Sequence, residues 1–130
     1  MLSQASIHLG IPTTNFEKSL DFYQNTLGLE RSIKHLDVDG IAIFTASGGG
    51  MIELYTRGEK SVAAHTIGGF TVENIEQEVA ELKAKGVKFE EYDSPGFKTV
   101  NSIAQTSPKS RCAWFKDPEG HFLVITEVRE

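Results

Sequence analysis

The feature that most constrains this chain is an internal repeat, in which the same order of strand and helix signals occurs twice. A strand-like segment at Ser6–Ile11 is followed by a capping box at Thr14–Glu17 and then by apolar residues at helical spacing. The same order returns at Thr66–Val72, with a second cap at Asn74–Gln77. The two copies lie about 59 residues apart. The chain is therefore expected to fold as two similar modules.

After each predicted helix, which a glycine ends (Gly28 and Gly86), the apolar period changes from 3.6 to 2 and indicates strands. The strands predicted for the first copy are Leu29–Leu36, Ile41–Ala46 and Met51–Thr56. Those predicted for the second copy are Val87–Tyr92, about Thr99–Thr106, Arg111–Lys116 and His121–Val128. We therefore predict an α+β fold of two βαβββ modules. Module 1 covers about residues 1–57, a linker about 58–64 and module 2 about 65–130, and together they form a single domain.

Each βαβββ unit alone would leave one face of a small sheet exposed, so the two are expected to pack or pair. The cleft between them is the predicted ligand pocket. Residues 93–110 make the second copy longer than the first by roughly a dozen residues, which exceeds the usual short connection. This segment is consistent both with a lid and with a surface strand that has loose ends.

Composition favours a cytoplasmic globular protein. Hydrophobic residues make up 39% of the chain and charged residues 24%, and the net charge of −5 argues against a surface that binds nucleic acid. No apolar run is long enough to span a bilayer, and the N-terminus lacks the parts of a signal peptide. Cys112 is the only cysteine, which excludes an internal disulfide, and its apolar neighbours predict a buried thiol.

Several motifs are typical of one known family. They are His8-Leu9-Gly10-Ile11, Ser19-Leu20-Asp21-Phe22-Tyr23, Leu27-Gly28-Leu29, Met51-Ile52-Glu53-Leu54-Tyr55 and the closing hairpin Trp114-Phe115-Lys116-Asp117-Pro118-Glu119-Gly120. In this order they resemble the vicinal-oxygen-chelate (VOC) superfamily, which includes glyoxalases and bleomycin-resistance proteins, over nearly the whole chain. The resemblance implies the two-module VOC fold and a homodimer with a two-fold axis.

The resemblance also implies half of a metal site. Metal-binding members take two ligands from each module, and the first module's pair falls on His8 and Glu53. Aligning the two copies sets Ile67 opposite His8 and Val124 opposite Glu53, so aliphatic residues replace the second pair. One histidine and one carboxylate would hold a divalent ion such as Ni, Zn, Mn or Fe only weakly.

His65 is a candidate third metal ligand. It precedes Ile67 by two residues, so on a regular strand it points to the same face, displaced by about 6.6 Å. Only a shifted register or a β-bulge would bring it to the metal position; otherwise it lines the rim. His35 and His121 lie beside predicted turns and are expected to face solvent.

Strand alternation predicts the apolar wall of the pocket. It places Ala42, Phe44, Met51 and Tyr55 on the face of Glu53, and Phe115 and Phe122 on the face of Val124. The predicted ligand-binding residues are therefore His8, Phe44, Met51, Tyr55, Phe115 and Phe122.

Three functional hypotheses follow. The first is a protein that binds a compact organic molecule, with His8 and Glu53 as polar anchors and no need for a metal. The second is a metal-assisted lyase or isomerase of the glyoxalase type, in which Glu53 is a ligand or general base. The third is metal-free acid–base chemistry by His8 and Glu53. A non-functional alternative for His8 and Glu53 is a buried pair whose members satisfy each other's hydrogen bonds.

Overall fold

The computed structural model describes residues 1–32 and 39–130. The chain divides into two compact units, Met1–Val62 and Ala63–Glu130, and the division falls inside the predicted linker. Each unit contains one sheet and one longer helical segment, so the α+β class and the repeated βαβββ plan are confirmed. Within the described ranges, no helix is long and apolar enough to cross a membrane.

The first unit contains a four-stranded sheet. Its elements are a short 3-10 helix (Leu2–Gln4), β1 (His8–Thr13), α1 (Phe16–Asp21) with a π-helical continuation (Phe22–Thr26), β2 (Glu30–Arg31), β3 (Ile41–Thr45) and β4 (Met51–Thr56). The strand order is β1-β4-β3-β2, with β1 parallel to β4 and the other pairs antiparallel. The predicted strand Leu29–Leu36 is confirmed only at Glu30–Arg31, and its end at 33–36 lies outside the described residues.

The first helical segment ends at the predicted Gly28 but begins one residue later than the predicted capping box, with Asn15 and not Thr14 as its N-cap. The side chain of Asn15 accepts a hydrogen bond from the backbone N–H of Lys18, which satisfies one of the unpaired amides of the first turn. Gly28 follows the helix with φ of 74°, a left-handed conformation that glycine adopts without steric cost.

The second unit contains a six-stranded sheet. Its elements are β5 (Thr66–Val72), α2 (Ile75–Ala84), β6 (Asp93–Ser94), β7 (Phe97–Val100), β8 (Ile103–Ser107), β9 (Ser110–Lys116) and β10 (Phe122–Val128). The order β5-β10-β9-β8 repeats that of the first sheet, and β7 and β6 extend it at one edge. The two extra strands account for the greater length of this copy.

The segment 93–110 is therefore a run of strands in the sheet, which matches the surface-strand alternative. The predicted strand Thr99–Thr106 is two strands, because Asn101 and Ser102 both have positive φ (52° and 74°) and form the turn between β7 and β8. The predicted strand Val87–Tyr92 is wrong. Only Phe89 forms a bridge there, with Phe115, and Tyr92 bonds through its backbone to Thr99.

Each unit has its own core between helix and sheet. In the first unit, the buried apolar residues come from alternate strand positions and from the helical segment: Ile11, Tyr23, Ala42, Phe44, Ile52 and Leu54. In the second unit, the corresponding residues are Ile75, Val79, Ala113, Phe115, Leu123 and Ile125. The opposite face of each sheet is thus left for other contacts.

Candidate functional site

The outward face of the first sheet is the side that turns away from the buried core of that unit. Alternation and register place on it His8, Gly10 and Pro12 of β1, Ile41, Ile43 and Thr45 of β3, and Met51, Glu53 and Tyr55 of β4. Most of these side chains are half-buried, and the intervening strand residues fill the core. The outward face is therefore largely apolar; its ionisable residues are His8, Glu53 and Tyr55, and Glu30 of β2, which pairs with Thr45 at the far edge.

His8 and Glu53 share this face. Met51 is the pairing partner of His8 and Gly10 is that of Glu53, so the two side chains stand two residues apart along the strand direction, about 7 Å. His8 is exposed and Glu53 is half-buried. Across residues 1–32 and 39–130, neither side chain has a hydrogen-bond or ion-pair partner. The alternative of a buried pair that satisfies itself is therefore wrong.

Gly10 has no side chain, and the gap that this leaves beside its pairing partner Glu53 is called the notch below. A Cβ at Gly10 would meet one atom of the described chain within 4 Å, a ring carbon of Tyr55 at 3.6 Å, which is an ordinary contact. Gly69 holds the equivalent position in the second copy, where it pairs with Val124. A Cβ there would overlap the backbone oxygen and a methyl group of Val124. A small group therefore fits beside Glu53 in the first unit, but none fits beside Val124 in the second unit.

Two predicted wall residues lie on the opposite side of the first sheet. Ala42 and Phe44 are 1% and 0% exposed and belong to the core, where the Phe44 ring lies 6.1 Å from that of Tyr23. The prediction failed because the strand partner of Glu53 is Ile43, which shifts the alternation of β3 by one residue. Met51 and Tyr55 do share the face of Glu53, as predicted.

In the second sheet, the side-chain direction of one residue, Phe115, was also predicted wrongly. Phe115 pairs with Leu123, is fully buried and packs its ring 5.5 Å from that of Phe89, so the prediction that it shares the face of Val124 is wrong. The partner of Val124 is Trp114. Phe122 does share the face of Val124, and the ammonium of Lys116 lies 4.9 Å from its ring centre.

The other three histidines differ from one another in placement. His65 lies in the second unit, is exposed, and its Nδ1 is 3.0 Å from the backbone oxygen of Thr66. A bulge does occur beside it, because the register of β5 and β10 skips Ile67. The prediction that His121 faces solvent is wrong: it is 2% exposed, and its backbone N–H donates to Asp117. His35 lies outside the described residues.

The donor set of the outward face does not fit the four-ligand metal site of the family. His8 and Glu53 are two donors, and among the residues that the structure describes no group of three or more His, Cys, Asp or Glu side chains could hold a metal ion. Cys112 is buried, as expected, with its sulfur 3.4 Å from the hydroxyl of Thr126. The metal role of His8, Glu53 and His65 stays a prediction.

Sequence reasoning missed a group of three rings in the second unit, which we call the aromatic cluster: Tyr92, Phe97 and Trp114. Burial raises the pKa of the Tyr92 phenol, and the charge of Glu90 adds to the shift. The sequence signal that could have found it is the alternation of β9. Once Trp114 and not Phe115 is placed on the face of Val124, the tryptophan lies outside the core. The cluster is an apolar surface of the second unit.

Comparisons with known proteins agree with this architecture. The model of the Glyoxalase/Bleomycin resistance protein/Dioxygenase superfamily matches residues 6–125. Among solved structures, the chain is similar to integron cassette protein HFX_CASS4 from the mobile metagenome of the Halifax Harbour sewage outfall, with 28% identity and a TM-score of 0.70 over 96% of this chain and 99% of that one.

Two further structures share the fold. A glyoxalase/bleomycin resistance protein/dioxygenase from Alicyclobacillus acidocaldarius is 15% identical, with a TM-score of 0.70 over 98% of this chain and 93% of that one. A superfamily member from Sphaerobacter thermophilus is 23% identical, with a TM-score of 0.69 over 98% and 99%. No curated protein matches significantly. The chain therefore belongs to the glyoxalase, bleomycin-resistance protein and dioxygenase superfamily and has its VOC fold.

Proposed function

We propose that this protein binds a compact organic molecule on the outward face of the first sheet, with no requirement for a metal. The observation that carries the proposal is the notch at Gly10, which lies in front of a half-buried Glu53 carboxylate. An unpartnered carboxylate on an apolar surface is costly, and a ligand that donates a hydrogen bond to it removes that cost.

The surroundings of Glu53 define the class of molecule. Met51 and Tyr55 flank Glu53 on the same strand, so the ligand is expected to have a flat apolar part that packs against the thioether and the ring. Its polar end carries an amine, amide or hydroxyl group that donates to Glu53. His8, which is exposed, contacts the polar end from the neighbouring strand.

The metal-assisted lyase or isomerase is the competing hypothesis, with His8, Glu53 and His65 as ligands. Two donors on one sheet support it less than they support metal-free binding, because catalytic metal sites in proteins usually have at least three protein ligands. The same variants test both hypotheses, and metal-free acid–base turnover would appear as activity that survives a chelator and is lost in Glu53→Gln.

The experiment compares wild type with His8→Ala, Glu53→Gln and His65→Ala, and uses Glu17→Gln, an exposed carboxylate of α1, as the matched control. A library of small amines, amides and phenols is screened by thermal shift with a chelator present. We expect hits that stabilise wild type and Glu17→Gln, and whose affinity falls about tenfold in Glu53→Gln. Hits that bind Glu53→Gln as well as wild type would refute the site.

Metal binding is measured on the same proteins with Ni, Zn and Mn. We expect no tight binding in wild type. Tight binding that is lost in His8→Ala, Glu53→Gln and His65→Ala would contradict the proposal and favour the lyase or isomerase.

A homodimer in the cytoplasm is also part of the proposal. The single cysteine suits a reducing compartment. Leu2 and Ile7 are 84% and 83% exposed beside the edge strand β1, which suits burial against a second copy. Light scattering after gel filtration is expected to give twice the chain mass of 14.3 kDa, and a monomer at all concentrations would exclude the dimer.

A further inference from the structure

The aromatic cluster is a preformed surface. The ring centres of Tyr92 and Phe97 are 5.2 Å apart, those of Phe97 and Trp114 5.3 Å, and those of Tyr92 and Trp114 5.8 Å. The rings meet edge-to-face or tilted, which are the attractive arrangements at these separations. Each ring therefore fixes the other two before any ligand arrives, and little side-chain entropy remains to be lost on binding.

The cluster is also accessible and continuous with a wider apolar strip. Phe97 is 38% exposed and Trp114 is half-buried. Trp114 pairs with Val124, and Lys116 pairs with Phe122, so these four side chains share one face of the sheet. A partly exposed strip of aromatic and apolar side chains with a few polar groups is the usual composition of a ligand-binding surface.

One acid and one base lie beside the strip. The ammonium of Lys116 is 3.6 Å from the carboxylate of Glu90, and the backbone N–H of Glu90 bonds to the carbonyl of Trp114. At 3.6 Å the two charged groups are farther apart than in a hydrogen bond, and their side chains are 48% and 30% exposed. A ligand can therefore accept a hydrogen bond from Lys116 and donate one to Glu90.

The two charges also exclude ligands with a net charge. An anion that approaches Lys116 meets Glu90, and a cation that approaches Glu90 meets Lys116, so neither gains net Coulombic energy. An uncharged molecule with a donor beside an acceptor satisfies both groups at once.

We propose that the aromatic cluster, with Glu90 and Lys116 beside it, binds an uncharged planar nitrogen heterocycle in which a ring N–H and a carbonyl are adjacent. The ring packs against Phe97 and Trp114, the N–H donates to Glu90, and the carbonyl accepts from Lys116. This site uses residues of the second unit alone, and its test changes none of the residues of the outward face.

Trp114 is the only tryptophan, so its indole N–H gives one signal in a proton–nitrogen NMR spectrum and reports directly on the cluster. Three bicyclic probes of similar size are titrated: quinolin-2-one, which is neutral and has the adjacent N–H and carbonyl, quinoline-2-carboxylate, which is an anion, and N-methylquinolinium, which is a cation. We expect quinolin-2-one to shift the indole signal and to bind at least about fivefold more tightly than either charged probe.

Variants separate a binding role from a structural one. Phe97→Leu keeps an apolar side chain on β7 but removes the ring, and we expect it to weaken quinolin-2-one binding about tenfold. Lys116→Met removes the donor and the positive charge, so we expect weaker quinolin-2-one binding and stronger N-methylquinolinium binding. Val100→Ala, a 65% exposed residue of the same strand, is the control and should change neither.

Unchanged quinolin-2-one affinity in a folded Phe97→Leu protein would overturn the site, as would equal or tighter binding of a charged probe by wild type. Failure of all three probes to shift the indole signal would show that the cluster only attaches β6 and β7 to the sheet. If Phe97→Leu does not fold, Lys116→Met decides the question, because it leaves the three rings in place.

Discussion

Glu127 shows how a single carboxylate holds several elements of the second unit together. One of its oxygens accepts the backbone N–H of Ile75, at the start of α2, at 3.0 Å. The other accepts from Arg111 at 2.8 Å and from Arg129 at 3.0 Å, and Arg111 also pairs with Glu76 of α2. The Ile75 bond, followed by the arginine bonds, lowers the pKa of Glu127 to about 2.

Acid should therefore weaken the fold through Glu127. Its folded pKa lies below the ordinary value of 4.5, so its contribution to stability is full above pH 4.5 and is lost as the pH falls toward 2. We expect Glu127→Gln to lower the free energy of unfolding at pH 7 and to flatten its decline between pH 4.5 and 2. Urea unfolding at several pH values measures this, with the exposed Glu59→Gln as control. Parallel curves for wild type and Glu127→Gln would contradict the assignment.

The two faces of the first sheet can be distinguished by stability. Phe44 is fully buried against Tyr23, so Phe44→Ala is expected to cost about 3–5 kcal/mol. Tyr55 is half-buried on the outward face, and Tyr55→Ala is expected to cost less, about 1–2 kcal/mol, because part of its surface already meets water. Urea unfolding of both variants measures these two losses of stability. Equal losses would mean that Phe44 is not a core residue.

At the scale of single residues, the sequence predicted which side chains of one strand share a face, but not always which side chains of two neighbouring strands do. Met51, Glu53 and Tyr55 lie on one strand, so their common face followed from alternation alone. Relating that face to Phe44 required the register across the hairpin, and a shift of one residue reverses every side chain of the partner strand. The aromatic residue Phe115 was misplaced for the same reason.

Among the elements, the hairpin of β7 and β8 depends on Glu91. The carboxylate accepts from the hydroxyl of Ser102 at 2.6 Å, from its backbone N–H at 3.1 Å and from the hydroxyl of Thr99 at 2.8 Å. These bonds lower the pKa of Glu91, with the Ser102 hydroxyl as the largest cause. They hold Asn101 and Ser102 in the left-handed conformation that the turn requires.

Removing one of these donors should loosen the hairpin. We expect Ser102→Ala to lower the free energy of unfolding by about 1 kcal/mol, since solvent around Glu91 limits the loss. We also expect it to raise the pKa of Glu91 toward its ordinary value, which carbon NMR of the carboxyl group can follow. Ser94→Ala, at an exposed position of β6, is the control. An unchanged Glu91 pKa would contradict the role of Ser102.

The elements themselves were largely predictable. Met51–Thr56 occurs with the expected bounds, the second helix begins at its predicted cap Asn74, and the first begins at Asn15, one residue after the Thr14 of the predicted capping box. The division of Thr99–Thr106 was not predictable, because the positive φ of Ser102 depends on the distant side chain of Glu91. Local propensity contains no information on such a contact.

At the scale of the whole molecule, the two copies have the same strand order but differ at one equivalent pair of positions. Gly10 faces Glu53 across parallel strands in the first unit, and Gly69 faces Val124 in the second. The repeat predicted this correspondence, and the backbone adds what the sequence could not: β5 carries a bulge at Ile67 and approaches Val124 so closely that no side chain fits at Gly69. Only the first copy thus combines an acidic side chain with a glycine at which a Cβ would fit, in ordinary contact with Tyr55.

The two glycines should therefore respond in opposite ways to the same substitution. Gly69→Ala is expected to lower the free energy of unfolding by at least about 3 kcal/mol, because its Cβ would overlap the backbone oxygen of Val124 and β5 must separate from β10. Gly10→Ala is expected to change it by less than about 1 kcal/mol, since its Cβ makes an ordinary contact with the Tyr55 ring at 3.6 Å.

Urea unfolding of both variants measures the difference in their free energies of unfolding. Ligand binding by Gly10→Ala then tests whether the ligand occupies the notch. A folded Gly10→Ala protein that binds the hits of wild type more weakly would place the ligand in the notch, because the added methyl group occupies the space in front of Glu53. Equal stability of the two variants would mean that the close approach of β5 to β10 does not exist. The distinction between an open and a closed copy would then be lost, and with it the reason to place the ligand on the first sheet.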